Sequence, residues 1–122
     1  MRYSDLLGTP YKEGGRTKEE GFDCYGLVLE CCKRNGTPLM DFSAVYTKEN
    51  ITVQDLETFA RGANVRRTNT IKEGSIVECE YNGQGHLGFA VDRNNILHTT
   101  KNGVRCTYKG AVKIKAAYEV FK

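Results

Sequence analysis

A chain of 122 residues is the length of one domain, expected to span residues 1 to 122, and it is long enough to bury a single core. With 39% hydrophobic and 27% charged residues it reads as a soluble globular protein, with no apolar run long enough to cross a bilayer and hence no membrane partner. The net charge of +3 is mild and its Lys and Arg residues are scattered, which argues against nucleic acid as a partner.

The N-terminus, Met1 to Gly8, lacks the continuous apolar stretch of a secretory signal peptide, so synthesis in the cytosol is the expectation. A short helical turn is predicted near Ser4 to Leu7. After it, Gly8, Pro10, Gly14, Gly15 and Gly21 punctuate a long shaped loop of the functional kind. From Asp23 the pattern becomes helical, with Cys24, Leu27, Val28 and Cys31 on one face, Asp23 as N-cap and Gly36 as the stop. A second helix is predicted from Thr52 to Arg61, capped by Thr52 and ended by Gly62.

Beyond residue 64 the period changes to two. Val77, Cys79 and Tyr81 alternate with Ile76, Glu78 and Glu80; Leu87, Phe89 and Val91 alternate with His86, Gly88 and Ala90; Val104, Cys106 and Tyr108 alternate with Arg105 and Thr107. Turn signals at Asn82-Gly83, Arg93-Asn94 and Asn102-Gly103 join these strands into an antiparallel meander, closed by Tyr118 to Phe121. Helices first and then a sheet make the fold class α+β.

Five cysteines, at 24, 31, 32, 79 and 106, are an odd number without C-x-x-C pairs, so free thiols are expected and a metal is not. Cys24 differs from the others in its position. It opens a helix, where unpaired N–H groups and the dipole favour a thiolate. On position alone a buried cysteine acting as a small hydrophobe is the commoner reading, and its partners must decide. Cys79 and Cys106 read as core, and Cys32 as helix flank.

The chain has two histidines. His86 shares a strand face with Gly88 and Ala90, away from the apolar face of Leu87, Phe89 and Val91. If the helix of Cys24 packs on that cleared face, the imidazole can act as general base to the thiol. A three-residue loop, Asp92 to Asn94, pairs Val91 with Asn95 and sets His98 opposite Gly88, whose missing side chain leaves room for His98 to reach His86 and hold its tautomer. Each histidine alone reads equally well as a surface residue of a hairpin.

The run Gly8-Thr9-Pro10-Tyr11, then Gly14-Gly15, then Gly21-Phe22-Asp23-Cys24-Tyr25-Gly26-Leu27-Val28 resembles the nucleophile region of the NlpC-type cell-wall cysteine peptidases, which are papain-like in fold. Glu73-Gly74-Ser75-Ile76-Val77, Gly85 to Val91 and Ile96-Leu97-His98 resemble that family's histidine hairpin. The resemblance covers nearly the whole chain except roughly residues 37 to 70, and the combination is specific although each piece is short. It implies a cysteine endopeptidase or amidase acting on peptidoglycan stem peptides without a cofactor, with Cys24 as nucleophile, His86 as base and His98 as orienting residue. Tyr11 is implied near the oxyanion, and Asp23 and Tyr25 beside the nucleophile at the substrate; Tyr11 reads equally as a loop-packing aromatic. Tyr25 stands where the family commonly has serine. An aromatic residue there is similar to variants from bacteriophage tails and prophages, which implies tail proteins as partners, a virion location, and an alternative role as a binding or structural module.

Overall fold

The computed structural model describes residues 3–37, 65–81 and 84–120. The helix expected from Thr52 to Arg61 and the Asn82-Gly83 turn lie outside the described residues. A 3₁₀ turn, Ser4–Leu6, buries Leu6 and leads into a long loop that carries a two-residue hairpin, β1 (Arg16–Thr17) and β2 (Gly21–Phe22). Helix α1, Cys24–Arg34, follows at once. Its cap is Asp23, whose Oδ1 accepts from the Gly26 N–H at 2.7 Å, satisfying a donor that the first turn would otherwise leave unpaired. Lys33 and Arg34 complement the dipole of the last turn, and Gly36, at φ +76°, takes the left-handed conformation that stops the helix.

Six strands form one antiparallel sheet: β3 (Val65–Thr68), β4 (Ile76–Tyr81), β5 (Gln84–Ala90), β6 (Asn95–Thr100), β7 (Gly103–Tyr108) and β8 (Lys113–Val120), in the order β3-β8-β4-β5-β6-β7. Strands β4 to β7 are the expected meander. The closing strand is longer than Tyr118 to Phe121, and it returns across the sheet to lie between β3 and β4 instead of extending the edge at β7. Among the described residues, helix α1 on a large antiparallel sheet gives the α+β class.

The helix packs on the Leu87, Phe89, Val91 and Leu97 face, burying Tyr25, Leu27, Val28, Cys31 and Cys32 against it. Each large apolar side chain removed from water there contributes on the order of 1.5–3 kcal/mol. Cys32 is therefore core and not helix flank. The opposite face holds a smaller cluster of Val77, Cys79, Ala90 and Ile96. Cys79 is buried as expected, but Cys106 is exposed, because β7 is an edge strand and none of the described residues covers that position. All five cysteines are free thiols. Among the described residues no helix is long and apolar enough to cross a membrane.

Candidate active site

The loop before α1 is locked to the helix start by polar contacts that converge on one carboxylate. Asp23 Oδ2 accepts from the Gly14 N–H at 3.1 Å, and Oδ1 accepts from Arg16 Nη1 at 2.8 Å as well as from Gly26. Arg16 also stacks over the Tyr25 ring at 5.6 Å and donates to the Gly15 carbonyl at 2.8 Å. Gly26 is required by this closeness, since a Cβ there would collide with the Gly15 carbonyl oxygen. The first residue of the helix, Cys24, is thus held at a fixed point above the sheet.

The sheet opens under that point. The β5–β6 ladder runs only through Phe89↔Leu97 and Ala90↔Ile96, extended by the Val91 N–H to the Asn95 carbonyl at 3.1 Å, whereas β5 continues back to Gln84 along β4 and β6 continues to Thr100 along β7. Where the ladder ends, the Thr99 hydroxyl is buried without a hydrogen-bond partner among the described residues. The backbone N–H of Leu87, beside that break, is close enough to the Cys24 thiol to favour its charged form. This corrects the expectation that the helix lies on the cleared face of His86: it lies on the other face, where Cys24 packs against the core that holds Leu87, the residue next to His86. The Cys24 sulfur is also within electrostatic reach of Cys79, the cross-strand partner of His86.

Cys24 is half-buried, and burial pushes its thiol up to about 11; the N–H groups of Leu87, Tyr25 and Cys24 itself pull downward without prevailing. The helix terminus alone therefore does not yield the thiolate expected from the sequence. Burial in the apolar surround outweighs a few oriented dipoles.

The two imidazoles meet as the three-residue loop requires. His86 Nε2 and His98 Nδ1 are 3.1 Å apart, with the rings edge-on at 79°. A Cβ on Gly88 would come within 2.5 Å of Ile96 Cγ2 and 3.6 Å of His98 Cβ, so the glycine admits both side chains of β6. Burial holds both rings neutral, with values down to about 4; for His86 the neighbouring His98 adds to the depression, and the Thr99 carbonyl opposes it. His98 is fully buried, and its Nε2 lies 2.7 Å from Thr107 Oγ1.

The remaining expected site residues separate. Tyr11 is exposed and bridges to Phe22 beside the helix start. Asp23 is 5% exposed and spent on the cap and on Arg16. Tyr25 is fully buried in the main core, so its ring faces packing neighbours and not solvent. Sequence reasoning missed Thr107 and the Leu87 N–H. Hairpin arithmetic from the Asn102-Gly103 turn would have found the first, because pairing His98 with Arg105 puts Thr107 diagonally across on the same face. The second depends on where the ladder breaks. Among the described residues no group of three or more His, Cys, Asp or Glu is placed to hold a metal ion.

No curated protein sequence matches the chain. Among the solved structures that share its fold are the following two. The NlpC/p60 domain of the peptidoglycan hydrolase SagA superposes with a TM-score of 0.60 at 20% identity, covering 99% of this chain and 93% of that one. A protein from Staphylococcus aureus subsp. aureus Mu50, described as similar to lipoprotein and of the NLP/P60 family, superposes at 0.63 with 17% identity, covering 99% of this chain but 39% of its own. The NlpC/P60 family model matches residues 8–119, a span that holds the shaped loop, Cys24, both histidines and the sheet, and the chain belongs to that family.

Proposed function

We propose that the chain is a cysteine hydrolase of peptidoglycan that cleaves amide bonds of the stem peptides, with Cys24 as nucleophile, His86 as general base and acid, and His98 as the residue that orients His86. One observation carries this reading: a half-buried cysteine at a helix N-terminus packs against the core that holds Leu87, where the β5–β6 ladder ends, and the residue before Leu87 is an imidazole already bonded to a second, buried imidazole. Membership of the NlpC/P60 family, and the likeness to a domain of a peptidoglycan hydrolase, support the substrate class.

The resting pair is a neutral thiol and a neutral imidazole, so proton transfer accompanies attack. His86 takes the Cys24 proton as the sulfur bonds to the peptide carbonyl carbon. The oxyanion that forms is met by the Cys24 N–H at the helix terminus. His86 then returns the proton to the leaving amine as the C–N bond breaks, leaving a thioester, and water activated by the same imidazole releases the acid and restores the thiol.

The test is digestion of purified peptidoglycan followed by mass spectrometry of the released fragments. The wild type should produce fragments with new amine and carboxyl ends, and Cys24→Ala should produce none above background. Cleavage that persists in Cys24→Ala, or a folded wild type that cleaves nothing, overturns the reading in favour of a binding or structural module.

A further inference from the structure

We propose that Thr107 is a positioning residue: its hydroxyl oxygen accepts the His98 Nε2–H and so fixes both imidazoles as Nε2–H tautomers, leaving Nδ1 of His86 unprotonated. The inference rests on the reading of His86 as the base. It starts from a counting constraint. A neutral imidazole carries one N–H and one lone pair, and in the 3.1 Å contact between His86 Nε2 and His98 Nδ1 one nitrogen must donate and the other accept. Two arrangements satisfy this. In the first, His86 Nε2–H donates to His98 Nδ1, and His98 Nε2–H must find an acceptor. In the second, His98 Nδ1–H donates to His86 Nε2, which forces the His86 proton onto Nδ1, the only ring nitrogen left to take a proton from a thiol.

The two directions have opposite chemical consequences. Only the first leaves a basic Nδ1, so only the first gives a competent base. One group that selects between them is what His98 Nε2 meets, and that is Thr107 Oγ1 at 2.7 Å, while the Thr99 carbonyl acts on the His86 ring. His98 is fully buried, so no solvent can substitute for that partner without a rearrangement. Thr107 lies on the edge strand β7 and is partly exposed, so its own O–H can donate outward to water while its lone pair faces His98. A hydroxyl that can satisfy its donor in solvent acts toward the buried ring as an acceptor. When His86 takes up the thiol proton, the resulting imidazolium still donates from Nε2 to His98 Nδ1, so no second proton has to move along the chain of three groups.

The chain has two histidines, so long-range ¹H–¹⁵N correlation spectra of protein labelled at histidine contain two ring systems, and the nitrogen shifts distinguish the tautomers. At neutral pH the wild type should show both rings as Nε2–H. Thr107→Val, which keeps the shape and removes the acceptor, should shift His98 out of that tautomer and lower kcat on peptidoglycan by roughly 10- to 100-fold with KM unchanged, less than the loss expected on removing the residue that touches the base. Thr107→Ser should restore both the tautomer and most of kcat. A wild-type His98 in the Nδ1–H form, a valine variant with unchanged tautomers, or a serine variant as impaired as valine would overturn the proposal. A wild type without activity would defeat the hydrolase reading instead, and the tautomer spectra would then decide the role of Thr107 alone.

Discussion

Two neutral imidazoles in edge-on contact set the acid response of the protein. Both rings sit near 4 in the folded state against an ordinary value of 6.5. Between those limits the unfolded chain binds more protons than the folded one. Stability is therefore full above about pH 6.5 and is lost as the pH falls toward 4. Charging a buried ring costs at most about 3 kcal/mol by this linkage. Urea unfolding at pH 4.5 should give a clearly lower midpoint than at pH 7, and the double variant His86→Gln, His98→Gln should lose most of that difference. An equal drop in the double variant would assign the acid sensitivity to other groups.

Helix α1 depends on its first residues more than on its length. Asp23 caps it, holds Gly14 of the loop and is paired with Arg16, whose guanidinium also covers Tyr25. Asp23→Ala should cost about 2–4 kcal/mol, the sum of a lost cap and a half-buried Arg16 left without its carboxylate. Asp23→Asn keeps an acceptor for the Gly26 N–H and loses the ion pair, so it should cost less than Asp23→Ala by about the value of the cap, roughly 1 kcal/mol. Urea midpoints of the two variants measure the difference. Equal losses would mean that the cap contributes little and the Arg16 pair nearly everything. The same carboxylate that the resemblance put beside the substrate is thus explained by the loop and helix it joins.

For the molecule as a whole, β8 is the strand on which the sheet closes. It is hydrogen-bonded to β3 on one side and to β4 on the other, and it buries Ala117 and Tyr118. A chain ending at Val112 would expose the edge of β4 and leave β3 without a partner among the described strands. It should fail to fold cooperatively, with loss of near-UV circular dichroism and of dispersed amide resonances. A truncated chain that keeps a native-like spectrum would show that the helix and the β4–β7 meander form an independent unit.

Local chemistry made much of this legible in the sequence. Asp23 and Gly36 delimit α1 because capping and left-handed backbone are properties of single residues, and the period-two runs mark β4 to β7 because alternation is a property of a strand by itself. The contact of His98 with His86 could be derived from loop length, since antiparallel register follows from where a hairpin turns. Other features depended on partners distant in the chain. The burial of Tyr25 and Cys32, the exposure of Cys106, the placement of β8 and the face chosen by the helix were each decided by which surfaces pack together. The raised thiol of Cys24 belongs with them. A helix N-terminus by itself favours the thiolate, but desolvation is set by everything packed around the sulfur, and only the tertiary structure supplies that surround.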